Sequence, residues 1–295
     1  MKLLSPVHSY KSAELQINNG ADEIYLGLDS PLTVNISFSG RGRVRFDGWK
    51  IQAEPDEYEK IVNLAKKANV AVCFAGNLQF LTQDLEQLYI KYIKSAYEIG
   101  FDKLIVGDIS TALIAKEILP NVPLIASSYY TVTNKGAVKF FKNLGFSRVI
   151  LSEHLTINEI ETIVTSDSDI EYEVFAGFGC ANYNGLCYFA HNAGEREKIE
   201  RLCGQCFISE DHKQTAFLMN NATDCAVCAI PKLKEIGVHS LKIVGREMNA
   251  ETIAGITFMY SCAIKSNKFN VKEIVSPGWD ENICKYKLCK YIDID

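Results

Sequence analysis

The chain has 295 residues, 47% of them hydrophobic and 23% charged, and a formal net charge of −5. This is an ordinary globular composition, long enough for one large core without disulfide support. Local patches apart, the acidity argues against a phosphate backbone as main partner, so nucleic acid is not expected. Met1-Lys-Leu-Leu-Ser-Pro6 lacks the apolar core of a signal peptide, and no run approaches the roughly eighteen apolar residues of a membrane span. The expected location is the cytoplasm, where thiols stay reduced.

Strand-like and helix-like segments alternate from the start. A strand at 2–4 precedes a helix over 12–18, and Glu23-Ile-Tyr-Leu-Gly27 reads as a buried strand. A polar, glycine-bearing stretch, 29–51, interrupts the rhythm before Pro55 opens a helix whose Tyr58, Ile61, Val62 and Ala65 form an apolar stripe. Strands then follow at 70–75, 103–106, 124–126, 148–151 and 170–175, with helices at 85–99, 111–119, 135–144 and 157–164 between them. Beyond a cysteine-rich stretch, 226–236 reads as a helix despite Pro231, 239–244 as the eighth strand and 250–266 as a last amphipathic helix. Eight strands alternating with helices predict an α/β fold, a TIM-like (β/α)8 barrel with a cysteine-rich loop insertion after the seventh strand. The barrel domain is expected over 1–266, including the insertion 176–228, with 267–295 as an irregular tail packed on it.

Six of the ten cysteines, Cys180, Cys187, Cys203, Cys206, Cys225 and Cys228, fall in this insertion among closely spaced glycines. Buried thiols packed as small hydrophobes do not account for such density. Cys203-x-x-Cys206 and Cys225-x-x-Cys228, with eighteen residues between Cys206 and Cys225, fit four-thiolate zinc. Soft thiolates also suit iron–sulfur clusters, so spacing leaves the two metals level. Cys262, Cys284 and Cys289 read as structural.

In a barrel the strand ends converge on one face. Ser5, His8, Asn77, Asp108, Ser127, Ser128, Glu153 and Arg246 are therefore expected at the same mouth as the cysteines, although polar residues after strands also serve as helix caps. Glu153, Lys242, Arg246 and His191 are the candidate catalytic residues. Arg246 and Lys242 would clamp a carboxylate, since a guanidinium meets a carboxylate bidentately; Lys242 could equally be an inward strand residue paired with a carboxylate. His191 lies between the second and third cysteines of the insertion, whereas His212 sits in a charged, solvated stretch. No phosphate loop, catalytic serine motif or zinc histidine pair is present.

Leu4-Ser5-Pro6, Asn19-Gly-Ala-Asp-Glu-Ile-Tyr-Leu-Gly27, Ser127 to Asn134, Glu173-Val-Phe175 ahead of a cysteine, Cys180-x6-Cys187, Asp224-Cys225 and Ser240-Leu-Lys-Ile243 with Gly245-Arg246 occur in this order. Together they resemble the collagenase-like peptidase family U32, over most of the chain. The family carries a peptidase label, while its better-understood members are oxygen-independent hydroxylases. The resemblance implies a barrel with a 4Fe-4S cluster, action on ubiquinone precursors, transfer RNA or ribosomal RNA, and prephenate as oxygen donor. It places the cluster on Cys180, Cys187, Cys203 and Cys225, with Cys206 the alternate, and so favours iron over zinc. His8, Ser152 and Val244 stand where the family has Gly, Arg and Glu, and the 176–179 segment is one residue short and lacks the family's histidine.

The chain most resembles the short, ubiquinone-type members, which work in pairs, so a homologous partner subunit is expected. The leading expectation is an iron–sulfur-dependent, oxygen-independent hydroxylase or related redox enzyme acting on a small molecule. A zinc-stabilised binding or assembly subunit and a metal-dependent peptidase are the alternatives.

Overall fold

A computed structural model of the chain describes residues 1–29, 53–78, 81–177, 206–208, 215–217, 225–246 and 248–291. Eight parallel strands close into the expected barrel: β1 (Lys2–Pro6), β2 (Glu23–Leu26), β3 (Ala71–Ala75), β4 (Lys103–Val106), β5 (Leu124–Ala126), β6 (Arg148–Ile150), β7 (Glu171–Gly177) and β10 (Ser240–Ile243). Their order around the barrel is β1-β10-β7-β6-β5-β4-β3-β2. They are short and almost wholly buried, as strands covered on both faces must be. The helices α1 (Tyr10–Asn18), α2 (Pro55–Lys67), α3 (Glu86–Ile99), α4 (Ile109–Ile118), α5 (Lys135–Asn143), α6 (Ile157–Val164), α7 (Ile230–Glu235) and α8 (Ala250–Lys265) accompany them. None of the described helices is long and apolar enough to cross a membrane.

Local sequence explains where the helices begin and which face they bury. In α2 proline occupies the first turn, Asp56 and Glu57 follow it, and Lys66 and Lys67 close the last turn, as the helix dipole favours. Its buried residues are the predicted stripe of Tyr58, Ile61, Val62 and Ala65. Thr156 and Glu159 form a capping box that starts α6, and Asn134 caps α5. Three features differ from the sequence reading. The expected 226–236 helix is a 3-10 turn (Val227–Ala229) followed by α7, because Pro231, which has no N–H to donate, fits only a first helical turn. The cysteine-rich stretch contains an antiparallel pair, β8 (Cys206–Ile208) and β9 (Thr215–Phe217). The residues after α8 form α9 (Val271–Ile274), α10 (Pro277–Asn282) and a 3-10 turn, Cys284–Tyr286.

Two layers fill the barrel. At its amino-terminal end Arg148, fully buried, donates to Glu23 at 2.6 and 3.0 Å, to Glu173 at 2.9 Å and to Glu171 at 2.8 Å. Lys103 adds a 2.7 Å bond to Glu23. Burial by itself would raise the Glu23 carboxyl, but its bonds to Arg148 and Lys103 outweigh that and hold its pKa at about 2. Above this floor Leu4, Tyr25, Cys73, Ile105, Ile125, Ile150 and Phe175 pack into an apolar plug. The barrel is solid up to this level, so chemistry is confined to the carboxyl-terminal mouth.

Candidate metal centre at the barrel mouth

The cysteine-rich segment leaves the barrel at the end of β7 and returns to the same point. Gly177 and Cys225 form an antiparallel bridge, and the Ala226 N–H donates to the Ala176 carbonyl at 2.8 Å. The C-terminal residues add a further rung. Cys225 and Cys289 form a parallel bridge, with the Cys225 N–H donating to Leu288 O at 2.9 Å and the Lys290 N–H to Cys225 O at 2.8 Å. Tyr291 secures this rung to β7: its hydroxyl accepts from the Phe175 N–H at 2.9 Å and donates to the Phe175 carbonyl at 3.0 Å.

Cys225 is buried, and its sulfur accepts two hydrogen bonds, from the Val227 N–H and from the Trp279 indole N–H, both at 3.4 Å. The Tyr260 hydroxyl lies 3.6 Å from the same sulfur, but its single proton goes to the Ala176 carbonyl. Donors of this kind orient and tune a sulfur that binds a metal. Cys228, in the following 3-10 turn, shares a hydrogen bond with the Cys289 thiol. Burial first, then the neighbouring cysteines, pushes the thiols of Cys284 and Cys289 up to about 11. Cys228 is raised in the same way, by burial and then by Cys225. Cys73, Cys225, Cys228, Cys262, Cys284 and Cys289 are free thiols. As their side chains are placed, no three Cys, His, Asp or Glu among the described residues surround a common metal position.

Of the residues singled out from sequence, Cys225 lies at the mouth. Cys180, Cys187, Cys203 and His191 fall outside the described residues, and Cys206 opens β8. Arg246 follows β10 at the mouth, buried, with its guanidinium carbon 5.6 Å from the centre of the Tyr25 ring. Lys242 points into the barrel instead. Its ammonium lies 4.6 Å from the Tyr25 ring centre and 3.8 Å from Glu173, and burial lowers its pKa against the pull of Glu173. It therefore belongs to the interior charge network, level with Leu4 and Phe175 of the apolar plug. Glu153 is buried 3.7 Å from the Lys290 ammonium, which couples β6 to the C-terminal rung.

Other strand-end residues divide between site and scaffold. Asn77 donates to Ser127 at 3.4 Å across the mouth, but Ser5 faces outward to Thr257 of α8 at 2.8 Å, and Asp108 caps α4. Cys289, read from sequence as structural with Cys284, pairs with Cys225 on the backbone bridge.

The sequence model of peptidase family U32 matches residues 8–291. The chain is 25% identical to the tRNA hydroxylation protein P of Escherichia coli K12, over 89% of this chain and 67% of that protein. It is also 25% identical to the tRNA hydroxylation protein P1 of Bacillus subtilis 168, over 96% of this chain and 68% of that one. Both relatives are named for tRNA, which corrects the expectation that nucleic acid is an unlikely partner. The solved structure of the U32 peptidase Mk0906 superimposes with a TM-score of 0.53 at 13% identity, covering 83% of this chain and 92% of that one, which establishes the shared fold. With the model matching nearly its whole length, the chain belongs to peptidase family U32.

Proposed function

We propose that the protein is an iron–sulfur-dependent hydroxylation enzyme that modifies an RNA base without molecular oxygen. The observation that carries this reading is the Gly177–Cys225 bridge: both ends of the cysteine-rich segment are tied to the carboxyl-terminal mouth, where barrel enzymes place their chemistry. Cys180, Cys187 and Cys203, completed by Cys225 or Cys206, would hold the cluster, with Cys225 presented at the mouth. The donor set suits it, since thiolates are the ligands iron–sulfur clusters use and the Cys225 sulfur already accepts two N–H donors. When bound, such a cluster supplies electron transfer and, at an open iron, Lewis acidity.

RNA is favoured over a small molecule as substrate by the names of the relatives and by local charge. Residues 265–295 hold six lysines against five acidic residues, in a chain that is acidic as a whole. Tyr286, 64% exposed, stands between Lys285 and Lys287 on this segment, a pairing of aromatic face and cations suited to an unstacked base and its phosphates. Arg246 is the mouth's cation for the carboxylate of an oxygen donor, with prephenate the candidate; Tyr25 beneath it fixes its height. An RNA substrate supports the cytoplasmic location expected from sequence.

The test is anaerobic purification with iron and sulfide analysis, then incubation with unmodified tRNA and prephenate and mass spectrometry of the nucleosides. A brown protein that adds one oxygen atom to a base is expected. Colourless protein that cannot be reconstituted with iron and sulfide, or a loaded protein that leaves every nucleoside unchanged, would overturn the reading.

A further inference from the structure

Two polar side chains from the ends of β3 and β5 meet over a position that has no side chain. Ser127 is buried, and its hydroxyl oxygen accepts from the Asn77 amide nitrogen and from the Tyr129 N–H, both at 3.4 Å. Between these two strands β4 is followed by Gly107. A Cβ there would run into the Leu78 carbonyl oxygen and come within 2.8 Å of the Tyr129 ring. Only glycine therefore lets the loops after β3 and β5 close over the end of β4 and bring Asn77 to Ser127.

That contact uses the amino end of the Asn77 amide. The other end, Oδ1, is shielded from solvent and accepts no hydrogen bond from any of the described residues. Buried polar atoms are seldom left so, because their desolvation is then uncompensated. A 3.4 Å bond is long for an N–H donor, and the terminal torsion of an asparagine is broad, so the amide is held in place without being locked. Asn77 also stands opposite the cysteine-rich segment. Three strands separate β3 from β7 whichever way round the barrel is followed, and Cys225 is bridged to Gly177 at the end of β7. A flat ring lying across the mouth with one edge at Asn77 turns its opposite edge towards Cys225.

We infer that Asn77 reads the substrate base. Its Oδ1 accepts from an N–H on the Watson–Crick edge of an RNA base drawn into the mouth, Ser127 holds the amide to that task, and the far edge of the ring is presented to the Cys225 side. The inference rests on RNA being the substrate and deepens that reading. An amide carbonyl beside an amide N–H is the pair with which asparagine recognises base edges, and a base taken out of its stack is recognised on that edge. A phosphate or carboxylate does not fit, since a carbonyl oxygen needs a donor and repels an anion.

The experiment measures binding of short single-stranded oligomers of uridine, cytidine and adenosine to the full chain prepared anaerobically. Each is set beside a counterpart whose Watson–Crick N–H is replaced by methyl: N3-methyluridine, N4,N4-dimethylcytidine and N6,N6-dimethyladenosine. For at least one of these bases wild type should bind the parent about tenfold more tightly than its counterpart, as expected when a buried hydrogen bond is left unmade. Asn77→Ala, or the near-isosteric Asn77→Leu should the alanine variant fail to fold, should bring that ratio to about one, with the salt dependence unchanged because no phosphate contact is lost. Asn77→Asp keeps an acceptor, to which the Ser127 hydroxyl can donate, and should keep the ratio. Wild type that prefers no parent oligomer, a preference retained without the amide, or one lost in Asn77→Asp would overturn the inference and leave the proposed function standing. Absence of binding by every oligomer would overturn both.

Discussion

The indole N–H of Trp279 points at the sulfur of Cys225 across 3.4 Å, although the two residues are 54 positions apart. Replacement by phenylalanine keeps most of the ring and removes the donor. Outer-shell donors of this kind are commonly worth about 10- to 100-fold in metal affinity. If Cys225 ligates the proposed cluster, Trp279→Phe should release iron to a chelator at least about tenfold more readily than wild type, with the far-ultraviolet circular dichroism unchanged. Equal release rates would show that the indole serves packing alone.

The floor of the barrel predicts a pH dependence. Glu23 has its folded pKa depressed to about 2 by Arg148 and Lys103, so its contribution to stability is full above the ordinary carboxylate pKa. That contribution is lost as pH falls through the folded value. The shift corresponds to roughly 3 kcal/mol, which should disappear between about pH 5 and pH 2. Urea unfolding followed across that range should show the decline in wild type and a flatter profile in Glu23→Gln.

Arg148 carries the opposite risk. Replacing it by methionine leaves Glu23 and Glu173 buried without their shared guanidinium, and removal of one partner from a buried ionic group typically costs about 3–5 kcal/mol. Arg148→Met should unfold at clearly lower urea than wild type. The double variant Glu23→Gln/Arg148→Met should recover part of the loss, because one stranded charge has gone.

Tyr291→Phe removes the hydroxyl that bonds both backbone groups of Phe175. Leaving those groups unsatisfied should cost about 2 kcal/mol. The effect should be local: faster amide exchange and easier proteolysis over residues 283–291, with the barrel strands protected as before. Uniform loss of protection would mean that the C-terminal rung folds as one unit with the barrel.

If RNA is held by the lysine-rich segment, Lys285→Gln/Lys287→Gln should weaken tRNA binding at low salt. The slope of log affinity against log salt should fall by about 1.5, because two phosphate contacts are lost. Tyr286→Ala should weaken binding without changing that slope, as expected for loss of base stacking. An unchanged affinity in both variants would assign RNA binding to another face.

Much of the fold was legible in the chain itself. Strand and helix periods, Pro55, and the caps at Asn134 and Thr156 act over a few residues, so the alternating pattern and its barrel could be read directly, as could the density of cysteines after β7. For Lys242 alternation left a carboxylate clamp and an inward residue level; the structure puts its ammonium 3.8 Å from Glu173, because height in a barrel is set by the stagger of neighbouring strands. The meeting of Cys225 with Cys289 had no local signature either. It depends on the return of the chain across the end of β7 and on backbone bridges at Gly177, Cys225 and Cys289, whose partners are chosen by the packed barrel rather than by any short stretch of sequence.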